Sequence, residues 1–155
     1  GARVIRQSLA IIEYLEEVHP APALLPPQPE ARAQVRALAY AIACDIHPLN
    51  NLRVLNYLRA PLGCEAAEVD GWYAHWIARG FAALEAEVAA TSTDGRHMYG
   101  AAVTLADVCL VPQMYNAQRM KCDVAPYPRL CAIAAHLQTL AAFARAAPEA
   151  QPDAS

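Results

Sequence analysis

Apolar residues recur at helical spacing along most of the chain. Near its start they fall at Leu9, Ile11, Ile12, Leu15 and Val18, which predicts a helix over 7–18. Residues 3–5, Arg-Val-Ile, read as a plausible strand end leading into it. Residues 19–32 then carry five prolines and read as a linker. No convincing strand follows. Pro29 is well placed to open a helix whose face is Val35, Leu38, Ala39, Ile42 and Ile46. Pro48 should break or kink that helix. A further segment with Leu49, Leu52, Leu55 and Leu58 ends near Pro61.

The longest pattern runs from about Ala66 to Ala90, with Val69, Trp72, Trp76, Ile77, Leu84 and Val88 as its apolar face. The stretch TSTDGRH is a loop. Residues 104–119 are helical and apolar on most sides, so this helix is expected to be buried. One more helix and a short terminal one follow from Pro126, and the tail EAQPDAS is expected to be disordered or draped on the surface. The layout is mainly α: a strand–helix remnant over 1–20, a proline-rich linker over 21–29, and an all-helical bundle over 30–155.

Composition narrows the class. The 155 residues are 56% hydrophobic and 17% charged, which fits a globular chain rather than a disordered one. A net charge of −3 gives no support for nucleic-acid or membrane-surface binding. No apolar run reaches the ~18 residues of a transmembrane helix. The five cysteines contain no CxxC pair and mostly sit in apolar helical patterns, so reduced core thiols in a cytoplasmic protein are expected. No His/Cys/carboxylate spacing suggests a metal.

Three stretches carry a local mechanism. In VTLAD, Thr104 as N-cap and Asp107 three residues on form a capping box, with Val103 and Val108 at the staple positions. In DIHPLNNLR, residues 45–53, His47, Asn50, Asn51 and Arg53 cluster at a proline kink; they either line a site or satisfy the backbone that Pro48 frees. In NAQRMKCD, Arg119 and Lys121 end a helix. A cation there complements the helix C-terminus, and an arginine also offers a planar fork for carboxylates. Trp72 and Trp76 read as core. No nucleophile–His–acid set, phosphate loop or carboxylate pair is present.

Taken together and in order, QSLAIIEYLEE, the proline-rich linker with LLP, HPLNNLRVL, GFAALE, TLADVCLVPQ, NAQR, PYP and the terminal QPD resemble the zeta-class glutathione transferases. That class comprises the maleylacetoacetate isomerases and maleylpyruvate isomerases. The resemblance runs from about Arg6 to Asp153. It implies an all-helical C-terminal domain preceded by the last strand and helix of a thioredoxin-like domain, with glutathione as cofactor. Gln7 and Ser8 would bind the γ-glutamyl end of glutathione, a role that suits the free N–H groups of a helix start. His47, Asn51, Leu52 and Arg53 would lie beside bound glutathione, and Arg119 would bind a substrate carboxylate.

The implied reaction is cis–trans isomerisation of maleylacetoacetate, a dicarboxylic keto acid, by reversible addition of the glutathione thiolate to its double bond. Maleylpyruvate is the rival substrate. General transfer of glutathione to small electrophiles and a non-catalytic helical module are the other readings. A homodimer is expected of the full-length protein. The thiol-activating serine/cysteine motif of the class is expected upstream of Gly1, so that this chain alone is expected to be inactive.

Overall fold

A computed structural model describes residues 4–152 and 154. Its described residues form seven α-helices: α1 (Ser8–Val18), α2 (Pro29–Tyr40), α3 (Leu52–Arg59), α4 (Ala66–Thr91), α5 (Leu105–Arg119), α6 (Pro128–Thr139) and α7 (Ala141–Ala146). No strand occurs among the described residues; one isolated bridge joins Ser92 to Gly100. Val4 and Ile5, the described part of the anticipated strand end, are in no strand, and Arg3 lies outside the described residues. No helix among the described residues is long and apolar enough to cross a membrane.

α4 is the spine of the bundle. Val69, Tyr73, Ile77, Phe81, Leu84 and Val88 recur every three or four residues and are all buried. α5 packs against α2 and α6, and α4 packs against α6 and the end of α2. The buried stripe of α4 is rotated from the anticipated one. Tyr73 and Phe81 replace Trp72 and Trp76, which lie half-buried on its flank. The two indoles differ in how their N–H groups are met: that of Trp76 is buried without a partner among the described residues. Trp72 takes an intermediate place and donates its Nε1–H to the Leu49 carbonyl at 2.9 Å.

After Tyr40 the end of α2 widens into a π-turn over Ala41–Ile46 and then tightens into a 3₁₀ turn over His47–Asn50. Pro48 supplies no N–H, so regular helix cannot continue through it. Gly80 on α4 permits this widened turn to approach. A Cβ there would collide with Cγ1 and Cδ1 of Ile46.

α6 has no cap of its own. Its start is capped from α4 by Glu85, whose carboxylate accepts the N–H groups of Arg129 and Leu130 at 3.0 Å each and the Arg129 Nη1 at 3.2 Å. Pro128 at the first helical position has no N–H to satisfy, so the cap covers the donors that remain there.

Two segments read as loose are pinned. In the proline-rich stretch, Glu16 accepts the N–H groups of Leu24 and Leu25, Leu25 is buried, and the Leu24 carbonyl receives Leu105 N–H at 2.9 Å. At the tail, Gln151 donates to the carbonyls of Arg145 and Ala147, and Glu149 meets Tyr115. The tail is therefore draped on the bundle as far as it is described; Asp153 and Ser155 lie outside the described residues.

Candidate functional site

α5 is buried or half-buried over most of its length, as expected, with only Pro112, Gln118 and Arg119 exposed. One face, with Leu110, Met114 and Ala117, enters the core. The opposite face, Val108, Val111, Pro112, Tyr115, Asn116 and Arg119, lines a groove of about 1040 Å³. These positions recur at the three- and four-residue spacing of a second helical stripe. The other walls come from Pro22–Leu24, the α6–α7 junction and residues 147–149. The groove is apolar at its valine end and polar where Tyr115, Asn116 and Arg119 meet it.

The end of α5 sets where Arg119 stands. Lys121 takes a left-handed backbone, φ 56°, and the N–H groups of Lys121 and Cys122 return to the carbonyls of Gln118 and Ala117. This crossed pair closes the helix one residue after Arg119. The guanidinium is exposed, and among the described residues no carboxylate lies within ion-pair distance of it. Tyr115 lies one helical turn before it on the same groove face. Burial raises the Tyr73 pKa despite the Arg119 charge, and the hydrogen bond to Glu149 raises that of Tyr115. Both hydroxyls are therefore protonated donors at neutral pH.

The other anticipated residues lie elsewhere. Asn51 caps α3, accepting Arg53 N–H at 3.1 Å, while His47, Leu52 and Arg53 are exposed around the same turn. Asn50 belongs to the fold: it is buried and donates to the Tyr73 carbonyl at 3.1 Å. Gln7 and Ser8 stand exposed at the start of α1. Gln7 has φ 75°, a left-handed conformation costly for a side chain with a Cβ. No side chain caps that first turn and no acidic residue lies in it, so its N–H groups face outward unpaired by a cap. Of the anticipated set, the groove is lined by Arg119 alone.

Asp107 is fully buried and serves the helix start, accepting Thr104 N–H at 2.7 Å and Thr104 Oγ1–H at 2.8 Å. The five thiols are unpaired, but they are not core residues in the strict sense: four are half-buried and Cys44 is exposed. Burial, with Cys44 nearby, pushes the Cys109 thiol up to about 11, so it is not a nucleophile at neutral pH. Tyr115, Asn116 and the residues around Glu149 were missed. The stripe from Val108 to Arg119 was visible in the sequence as a second face of α5; the arrival of the tail beside it was not.

None of the family models compared with the chain matches it. Whole-chain comparison does. A probable maleylacetoacetate isomerase from Vibrio cholerae is 54% identical over 99% of this chain and 71% of its own length. The holo structure of a maleylpyruvate isomerase, described as a bacterial zeta-class glutathione transferase, superposes with a TM-score of 0.96 at 50% identity, over 100% of this chain and 73% of that one. This chain belongs to the zeta-class glutathione transferases. A third member of the class, the maleylacetoacetate isomerase of Anaeromyxobacter dehalogenans, is 45% identical with a TM-score of 0.92, over 99% of this chain and 67% of that one. Its structure holds dicarboxyethyl glutathione and citrate in the active site. At such similarity the all-helical arrangement is the C-terminal domain of the class.

Proposed function

We propose that the chain works as a glutathione-dependent cis–trans isomerase of an α,β-unsaturated dicarboxylic keto acid, maleylacetoacetate in the first instance, with Arg119 binding a substrate carboxylate. The observation that carries the residue assignment is a guanidinium without an ion-pair partner among the described residues, at the polar end of an otherwise apolar groove. An apolar wall suits the carbon chain of such a substrate, and the planar fork suits its carboxylate.

Glutathione would supply the thiolate nucleophile. The start of α1 fits one end of it: an uncapped first turn with no acidic residue offers N–H donors and the positive end of a helix to a carboxylate. Ser8 adds a hydroxyl, and Gln7 holds a strained backbone of the kind that recurs at binding sites. His47, Leu52 and Arg53 are exposed and free to contact the same molecule, and Asn51, half-buried with its Oδ1 capping α3, keeps its amide N–H groups for it. The chain's own work is to bind and orient: Ser8 and the α1 donors hold one carboxylate, and Arg119 holds another. Maleylpyruvate is the second reading, favoured by the 50% identity to a maleylpyruvate isomerase. The exposed apolar residues Leu52, Tyr57 and Leu62 around α3 support assembly as a homodimer.

Calorimetric titration with maleate, a small cis-dicarboxylate, tests the assignment. A charged hydrogen-bonded pair contributes about 1.5–3 kcal/mol, so Arg119→Ala should weaken binding by about 10- to 100-fold. Arg119→Lys should fall between, since a lysine keeps the charge and loses the fork. An unchanged dissociation constant in Arg119→Ala would remove Arg119 from the site.

A further inference from the structure

The tail places a carboxylate of its own at the polar end of the same groove. After α7 the chain passes through a 3₁₀ turn, Pro148–Ala150. Gln151 pins that turn with amide hydrogen bonds to the carbonyls of Arg145 and Ala147 at 2.9 and 3.0 Å. Glu149 is thereby set against α5, where the Tyr115 hydroxyl donates to its Oε1 at 2.7 Å. Tyr115 stands one helical turn before Arg119 on the groove face.

The arrangement is asymmetric in a useful way. Glu149 takes the Tyr115 hydroxyl but does not reach ion-pair distance of Arg119. Among the described residues the stronger anion-binding group is therefore without a carboxylate partner while the neutral donor beside it is occupied. The pair is exposed, so its net contribution is small and another carboxylate can replace it. The hydrogen bond also lowers the Glu149 pKa, which keeps it ionised and a good acceptor at neutral pH.

We propose that Tyr115–Glu149 is an exchangeable latch: a ligand carboxylate docked on Arg119 takes over the Tyr115 hydroxyl, and residues 147–150 withdraw from the groove. Tyr115 is then a positioning residue for the ligand, and Glu149 an internal competitor that sets its apparent affinity. The inference rests on the reading of the groove as a carboxylate site.

A double-mutant cycle read by maleate titration tests it. With the latch closed most of the time, Glu149→Ala, which removes the acceptor, should tighten maleate by about 3- to 10-fold, because affinity scales with the open fraction. In the Tyr115→Phe background the same change should matter less than twofold, since no latch remains to release. Equal effects in both backgrounds would mean that Glu149 acts only through its charge, and no tightening would mean that it does not compete; either result overturns the latch. Arg119→Ala measured alongside separates the two readings. Lost maleate binding there with an additive cycle overturns the latch and leaves the carboxylate site standing. Unchanged binding there overturns the site, and the latch with it.

Discussion

Asp107 accepts three hydrogen bonds from inside the bundle: Thr104 N–H, Thr104 Oγ1–H and, across the loop, Met98 N–H at 2.8 Å. Two of these donors are backbone amides that no water reaches once the carboxylate is gone. Each orphaned buried donor costs about 1–3 kcal/mol, so Asp107→Ala should destabilise the chain by about 3 kcal/mol in urea unfolding. Burial raises the Asp107 pKa against the pull of its hydrogen bonds. The folded state therefore holds this proton to higher pH than the unfolded chain does. The stabilising contribution of Asp107 should be greatest below its ordinary value of 3.8 and shrink as pH rises through the folded-state value. The stability gap between wild type and Asp107→Ala should follow the same trend; a gap that widens with pH would contradict it. The Thr104–Asp107 pair was legible in the sequence because a capping box is local, three residues apart. The Met98 bond was not, and neither was the Glu85 cap on α6, which spans 44 residues to Arg129. Side-chain partners that distant depend on how the helices pack.

At the scale of the element, α4 contains two glycines in opposite circumstances. Gly71 is exposed, and a Cβ added there meets nothing within 4 Å. Gly80 faces the Ile46 side chain at the π-turn. Helix propensity alone favours alanine over glycine by about 1 kcal/mol at both. Gly71→Ala should realise that gain as a higher unfolding midpoint. At Gly80 the collision with Ile46 opposes it, and overpacking of this kind costs about 1–3 kcal/mol. Gly80→Ala should therefore be neutral to destabilising, and Ile46→Val should relieve part of its cost. A stabilisation at Gly80 equal to that at Gly71 would show that the π-turn does not rest on α4. The helices themselves were readable from periodicity, α4 to within a residue at its end. The π-turn was not, because its cause is the pairing of Pro48 with a distant glycine. The rotation of the α4 stripe onto Tyr73 and Phe81 likewise follows from packing, as hydrophobicity ranks tryptophan no lower.

Over the whole molecule, stability is unevenly spread, and the groove and α1 sit at opposite ends of that range. The groove wall is formed by α5, whose inner face is fully buried, and the groove as a cavity was illegible because three separate segments build it. α1 has no fully buried residue; Ile11, Leu15 and Val18 are exposed, and only Leu9 and Ile12 pack against the core. Its periodicity was clear, yet periodicity reports an apolar face without saying what covers it. What holds α1 is polar: Glu13 to Arg36 at 2.8 Å, and Glu16 to the amides of Leu24 and Leu25. The Glu13–Arg36 pair is about one-third exposed on each side, so solvent screening leaves it about 0–1 kcal/mol. Local opening of α1 should then require much less free energy than opening of α5, by about 2 kcal/mol or more. Native-state hydrogen exchange on the full chain should show amides 12–18 exchanging well before amides 109–117, and Arg36→Ala should speed the first set while leaving the second unchanged. Equal protection of both sets would mean that α1 is bound into the same cooperative unit as the bundle, and that its exposed apolar face contributes more to the fold than its burial indicates.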